Sequence, residues 1–341
     1  MRRYRRLGRA PDAYAAVTYA PAMTASWRMW SDELESARPE ARAAVLAGIG
    51  LFDRDGDAAT LPRAERVAKR RAAMPAYTVP EAIEREVAGV GCRVFMPEAA
   101  PRAVYLHLHG GGMVSGSPEV MDIPNRSLAR DVGVVVVSSD YRKAPEHPYP
   151  AGPDDATEVA EWLAEHAADE FGVDRMVIGG ESAGAYLAAL VGLRLRDRGR
   201  QATVAGLNLV FGIYDWGHTP SQRGQRPHDG PDILDPAEIE FVTECYLPGR
   251  TDEERRDPAI SPAYADLRGL PPMFLSVGTC DHLVDDTLLL AARAAAAGDE
   301  VELFVLPEMP HAFMAFACTA TTRWSERMAA WLDSVISRPL G

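Results

Sequence analysis

The stretch that most constrains this chain runs from Val177-Ile178 through Gly179-Gly180-Glu181-Ser182-Ala183-Gly184 into Ala185-Tyr186-Leu187-Ala188-Ala189-Leu190. β-branched residues favour a strand and Ala and Leu favour a helix, so the backbone must pass from one to the other within a few residues. Gly180 and Gly184 stand two positions either side of Ser182, where a sharp turn leaves no room for a side chain. Two readings compete. In one, Ser182 simply caps the helix that follows. In the other, its hydroxyl is pushed out of the backbone for chemistry, with the positive end of the helix aimed at any negative charge formed nearby. Partners elsewhere in the chain decide between them.

The surrounding pattern is an alternation of strands and helices. Strands are expected at Ile83–Ala88 and Val90–Phe95 as an antiparallel pair, then at Ala103–His109, Val132–Ser139, Arg175–Ile178, Val204–Val210, Met273–Val277 and Glu300–Leu306. The run of four valines within Val132–Ser139 is that of a parallel strand covered on both faces. Helices are expected from Pro153 to about Ala168, from the Ser182 turn to about Arg198, at Pro236–Tyr246, at Val284–Ala297 closed by Gly298, and at about Thr319–Ile336. This rhythm implies an α/β fold with a mostly parallel sheet and right-handed crossovers.

Two intervals depart from it. Residues 1–75 are rich in Ala and Arg and read as helical segments without strand signals; they include an apolar cluster of Trp27, Met29 and Trp30, a helix start at Ser31-Asp32-Glu33, and a turn over 53–57. Residues 214–262 carry many prolines and are too long for a simple connection, so they are expected to be an insertion over the sheet's active edge. The core is then split between residues 76–213 and 263–341.

The chain has 341 residues and a net charge of −13, which argues against nucleic acid as a partner because phosphate binding needs a basic face. The basic start, Met1-Arg2-Arg3-Tyr4-Arg5-Arg6, is followed by Gly8, Arg9, Pro11 and Asp12 instead of the apolar core of an export signal, so a cytoplasmic protein is expected. No run of about 18 apolar residues suggests a membrane span. Cys92, Cys245, Cys280 and Cys318 are widely spaced, with no metal-type Cys/His pattern, and are expected to be free thiols. Neither a metal nor a cofactor is expected.

In an open α/β sheet the reactive groups collect beyond the carboxyl ends of the strands. Three polar loops lie at such ends, and they hold Ser182, Asp281 and His311. A serine hydroxyl needs a base within reach, and an imidazole needs an acceptor to fix its tautomer. The order Ser, Asp, His is that of the α/β-hydrolase arrangement. After the Ala103–His109 strand comes Gly110-Gly111-Gly112, whose backbone amides can approach a developing oxyanion, with the Ala183 amide as a further donor.

With these residues the chain resembles the hormone-sensitive-lipase family of esterases, within the α/β-hydrolase fold. The resemblance rests on His109-Gly110-Gly111-Gly112; on Asp140-Tyr141-Arg142 with Ala144-Pro145-Glu146-His147-Pro148; on Gly180-Glu181-Ser182-Ala183-Gly184; on Asp257-Pro258-Ala259-Ile260-Ser261-Pro262; on Asp281-His282-Leu283-Val284-Asp285-Asp286; and on His311-Ala312-Phe313. It implies a serine carboxylesterase of short- to medium-chain esters with Ser182, Asp281 and His311 as triad and Gly111, Gly112 and Ala183 supplying oxyanion amides. It also implies a helical cap built from residues 1–75 and 214–262, a small-molecule ester as partner, and a homodimer. Lys143, Met113 and Pro310 depart from the family's usual residues, and Met113, bordering the oxyanion loop, leaves substrate size open. A deacetylase or acyltransferase dedicated to one secondary metabolite would use the same triad, and a non-catalytic ligand receptor can be built on the same framework.

Other polar residues are expected in lesser roles. His109 and Gly110 brace the glycine loop, Glu181 supports, and His107 is a satisfied core histidine. Asp285 and Asp286 favour the dipole of the helix they open. Trp27, Trp30, Met113, Phe211, Tyr214 and Phe313 are candidates to line the substrate pocket, with packing as the plainer role.

Overall fold

The computed structural model describes residues 29–52, 60–74, 76–225 and 230–339. Trp27 and the 53–57 turn lie outside them. The strands are β1 (Ile83–Val87), β2 (Val90–Phe95), β3 (Val104–Leu108), β4 (Val135–Ser139), β5 (Met176–Glu181), β6 (Val204–Val210), β7 (Met273–Cys280) and β8 (Val301–Pro310). The helices are α1 (Asp32–Ser36), α2 (Arg38–Gly48), α3 (Arg63–Ala72), α4 (Asp122–Val132), α5 (Ala151–Phe171), α6 (Ala183–Asp197), α7 (Pro236–Tyr246), α8 (Asp252–Arg255), α9 (Val284–Ala297) and α10 (Thr319–Ser337).

One eight-stranded sheet runs in the order β1-β2-β4-β3-β5-β6-β7-β8. β1 and β2 pair antiparallel, as does β2 with β4, and all the other pairs are parallel. Alternation along the strands divides the apolar side chains between two layers. Val104, Leu106, Leu108, Val135 and Val137 face the cluster containing Leu163 of α5 and Leu187 of α6. Tyr105, Val134 and Val136 face the one containing Ala129 of α4 and Trp324 and Trp331 of α10. A sheet buried on both faces is what continuous apolar strands require.

The boundaries differ from expectation where helices meet strands. The fourth strand begins at Val135, because Val132 ends α4 and Gly133 closes that helix in a left-handed conformation (φ 76°). α5 begins at Ala151, which places Pro153 third in the helix, still within the first turn where its missing N–H costs nothing. β1 and β2 are joined through Ala88 and Gly89, both with positive φ (51° and 80°), a turn whose twist suits a hairpin. Ser31 caps α1 as expected, its side chain accepting from the Leu34 amide.

The 214–262 interval contributes α7 and α8 and is tied to the rest by buried polar contacts. Asp286, fully buried near the start of α9, accepts from the amides of Tyr214 and Asp215 (2.8 Å each), from Thr219 Oγ1 (3.0 Å) and from Gln222 Nε2 (2.7 Å). Asp285 accepts from the Ser221 amide at 2.9 Å. Both carboxylates therefore act on this interval instead of only complementing the dipole of α9. Among the described residues no helix is long and apolar enough to cross a membrane.

Candidate active site

Ser182 stands between β5 and α6 with φ 56° and ψ −118°, a conformation that costs a non-glycine residue about 1–3 kcal/mol and persists only where its surroundings impose it. What imposes it is close packing of the turn against the end of β3. A Cβ on Gly180 would lie 2.0 Å from the Leu108 carbonyl oxygen, and one on Gly184 only 1.8 Å from the same atom. Glycine at both places is thus a steric demand. The residue that follows, Ala183, is the first of α6, so its amide has no partner within the helix.

His311 follows β8 and Asp281 follows β7, and the two reach Ser182 from adjacent strand ends. His311 Nε2 lies 3.0 Å from Ser182 Oγ, and His311 Nδ1 lies 2.9 Å from Asp281 Oδ2. A carboxylate oxygen can only accept, so Nδ1 carries the proton and the Nε2 lone pair faces the serine hydroxyl. The Asp281 side chain is fully buried, and its other oxygen accepts from the Leu283 amide at 2.8 Å. Phe211, itself at φ 39°, packs its ring edgewise against the imidazole with centroids 4.7 Å apart and against Phe313 at 5.1 Å.

The glycine loop lies beside the serine: a Cβ on Gly110 would sit 3.5 Å from Ser182 Cβ. Gly111, Gly112 and Met113 all have positive φ (127°, 65° and 60°), so the loop turns through conformations open to few residues. His109 holds its start. Burial, with the Lys143 charge adding to it, keeps the imidazole well below the ordinary histidine range, so it is neutral. Its Nδ1–H donates to the Gly110 carbonyl at 2.7 Å. That bond fixes the Gly110–Gly111 peptide with its carbonyl toward His109 and therefore its N–H, that of Gly111, pointing the opposite way. The ring stacks on Tyr141 at 4.3 Å, and Tyr141 OH donates to the His109 carbonyl at 2.7 Å.

His107 is a satisfied core histidine, with Nε2 3.1 Å from Glu181 Oε2 and Nδ1 2.7 Å from Ser138 Oγ. Glu181 therefore reaches the core under the turn and not the imidazole of His311.

Of the expected pocket residues, Phe211 and Phe313 pack beside His311. Met113, Tyr214 and Phe313 have no accessible surface, so none lines an open cavity. Trp30 is distant for a topological reason: it lies with Leu303 and Phe304, early on edge strand β8, and with Arg323 and Arg327 of α10, in a groove of about 580 Å³. Sequence reasoning also missed Arg70 and Ser115, which border the glycine loop.

Among the described residues no three His, Cys, Asp or Glu side chains are grouped to hold a metal. The four cysteines are buried, and none is in a disulfide. A half-buried serine and imidazole backed by a buried carboxylate in one hydrogen-bonded line, flanked by backbone amides, can carry out acyl transfer.

Comparison with known proteins points the same way. A family described as the alpha/beta hydrolase fold matches residues 105–315. Carboxylesterase NlhH of Mycobacterium tuberculosis is 34% identical over 299 residues, spanning 82% of this chain and 91% of that protein. An acetyl esterase of Salmonella dublin is 30% identical over 278 residues, spanning 79% and 84%. Among solved structures, a hormone-sensitive lipase from a metagenome library superimposes with a TM-score of 0.73 at 30% identity, covering 88% of this chain and 98% of that one.

Proposed function

This chain belongs to the hormone-sensitive-lipase family of serine carboxylesterases on the α/β-hydrolase fold, and from that premise we propose that Ser182 is its nucleophile, His311 its general base and acid, and Asp281 the carboxylate that orients the imidazole. The observation that carries this assignment is the line of hydrogen bonds from Asp281 Oδ2 through His311 to Ser182 Oγ, 2.9 and 3.0 Å long.

His311 Nε2 takes the hydroxyl proton as Ser182 Oγ bonds to the ester carbonyl carbon, and the amides of Gly111, Gly112 and Ala183 receive the resulting oxyanion. Collapse of the tetrahedral species breaks the bond to the alcohol oxygen, which leaves with the proton from Nε2. Water then attacks the acyl-serine, His311 again removing a proton, and the acid departs as Ser182 recovers its hydrogen.

Residues 1–75 and 214–262 form the cap in this reading, and residues 76–213 and 263–341 the core. Its support is the contact between the two cap segments, in which Glu238 of α7 accepts from Arg66 Nη2 (2.7 Å) and Arg70 Nη1 (2.5 Å) of α3. Short- to medium-chain esters are the substrates. That choice is supported by Val242 of α7, whose Cγ1 lies 2.9 Å from where a Cβ on Gly112 would be, leaving little depth beside the loop. The reading includes a cytoplasmic location, supported by four buried thiols outside any disulfide, no nucleic-acid partner, supported by the charge of −13, and a homodimer, for which β8 stands at an edge of the sheet.

A series of p-nitrophenyl esters of increasing acyl length tests it. The short members should turn over fastest, with activity declining as the chain lengthens; a preference that rises steadily to the longest chains contradicts the substrate class, and no turnover of any member contradicts the esterase assignment.

A further inference from the structure

The loop that carries the oxyanion amides is held from outside by two consecutive arginines of α3. Arg71 Nε donates to the Val114 carbonyl at 2.9 Å and its Nη2 to the Ala144 carbonyl at 3.1 Å. Arg70 Nε donates to Ser115 Oγ at 3.0 Å. Ser115, without accessible surface, passes that bond on: its hydroxyl donates to the Gly111 carbonyl at 3.0 Å. The same carbonyl also receives the amides of Val114 (3.2 Å) and Ser115 (3.0 Å).

The Gly111–Gly112 peptide is trans, so its carbonyl and its N–H, which belongs to Gly112, point in opposite directions. A carbonyl pinned on the Ser115 side fixes the direction of the Gly112 N–H on the other. The chain of bonds is also polarised in one sense. A guanidinium donating to a hydroxyl oxygen strengthens that hydroxyl as a donor, and donation to the carbonyl in turn strengthens the N–H across the same peptide. The guanidinium is largely buried, with 12% side-chain exposure, so solvent screens it little. It also stands close to the loop, 3.3 Å from where a Cβ on Gly112 would lie.

We propose that Arg70, acting through Ser115 and the Gly111–Gly112 peptide, is a positioning residue that aligns and polarises the Gly112 amide for the oxyanion. The N-terminal segment thus takes part in the chemical step, and Glu238, which shares the guanidinium, ties that alignment to the placement of α7. This inference rests on the esterase reading and on Gly112 being one of its oxyanion amides.

The test compares wild type with Arg70→Met, Ser115→Ala, the double variant and Arg70→Lys. It measures kcat and KM on p-nitrophenyl butyrate, the rate of inactivation by diethyl p-nitrophenyl phosphate, and thermal melting. Loss of a whole oxyanion donor costs on the order of 10²–10³ in kcat, so misalignment of one should cost each single variant about tenfold, with KM within about twofold. Inactivation should slow in parallel, since it forms the same kind of charge. The double variant should be no worse than the more impaired single one, because both break one chain of bonds. Arg70→Lys, which keeps the charge without the fork, should lie between wild type and Arg70→Met. If Arg70→Met does not fold, Ser115→Ala and Arg70→Lys decide by the same criteria. Wild-type kcat in the single variants, a loss confined to KM, or losses that multiply fully in the double variant each overturn the proposal. A wild-type protein inert toward ester and phosphate alike overturns the esterase reading instead.

Discussion

The carboxylate of Asp286 and the backbone amide of Tyr214 meet at 2.8 Å in an interior with no access to solvent. Burial pushes that carboxyl up to about 7, against 3.8 for a solvated aspartate, even though four donors pull the other way. The proton is therefore held more tightly in the folded state, and the stability this gives is complete below about pH 4 and lost as pH rises through about 7. Asp286→Asn removes the titration, and Gln222, whose Oε1 is buried without a partner, can turn to accept from the new amide. Melting temperature should fall between pH 5 and 8 more in wild type than in Asp286→Asn, by an amount corresponding to a few kcal/mol at most. Identical pH dependence in the two would show that Asp286 titrates as if solvated.

Steric demand at the serine turn gives a sharp contrast between glycines. Gly184→Ala would place a methyl 1.8 Å from the Leu108 carbonyl oxygen, and either β3 or α6 must move. Loss of more than about 3 kcal/mol of stability, or failure to fold, is expected. Gly91→Ala, with nothing within 4 Å of its new methyl, should stay within about 0.5 kcal/mol. Denaturant melts of the two variants check this; equal stabilities contradict the packing described around the turn.

Three carboxylates near the site differ in what they hold. Asp281 touches His311, while Asp285 and Asp286 hold the 214–222 segment. Asp281→Asn should lower kcat by as much as ~10⁴, because the imidazole loses the acceptor that sets its tautomer. Asp285→Asn should change kcat by less than about threefold, since the side chain makes no contact with the imidazole. Steady-state kinetics would sink the assignment of Asp281 if Asp285→Asn proved the more damaging.

His109 is neutral and donates to the Gly110 carbonyl, so its contribution is geometric. His109→Ala should reduce kcat about 10- to 100-fold with little change in KM, by letting the Gly111 amide swing. A KM effect alone, measured on p-nitrophenyl acetate, would place His109 in substrate binding instead.

Much of the sheet, and the meeting of Ser182, Asp281 and His311 beyond neighbouring strand ends, can be read from the amino-acid sequence because their signals are local. Val204–Val210, Pro236–Tyr246 and Val284–Ala297 form elements with the bounds expected, the last closed by Gly298 at φ 94°. α4 is not legible in this way. It contains Pro124, Asn125 and Ser127, and a tertiary ion pair holds its first residue: Asp122 accepts from Arg93 Nε (2.8 Å) and Nη2 (2.5 Å). The same limit hides Arg70. An arginine-rich helix reads as a solvated surface, and its partners Ser115 and Glu238 lie 45 and 168 residues away. The aromatic candidates are ambiguous for a related reason: Tyr214 and Phe313, both without accessible surface, are as apolar in a closed core as beside a substrate.

Ser182 Oγ, 3.0 Å from His311 Nε2, is the atom we propose to take the acyl group. Treating the protein with diethyl p-nitrophenyl phosphate, counting the p-nitrophenolate released and mapping the phosphorylated peptide tests it most directly. One equivalent should be released per chain, with the adduct on Ser182, a matching loss of ester hydrolysis, and neither labelling nor appreciable turnover in Ser182→Ala. Wild-type turnover by Ser182→Ala, or a stoichiometric adduct on another residue, would contradict it.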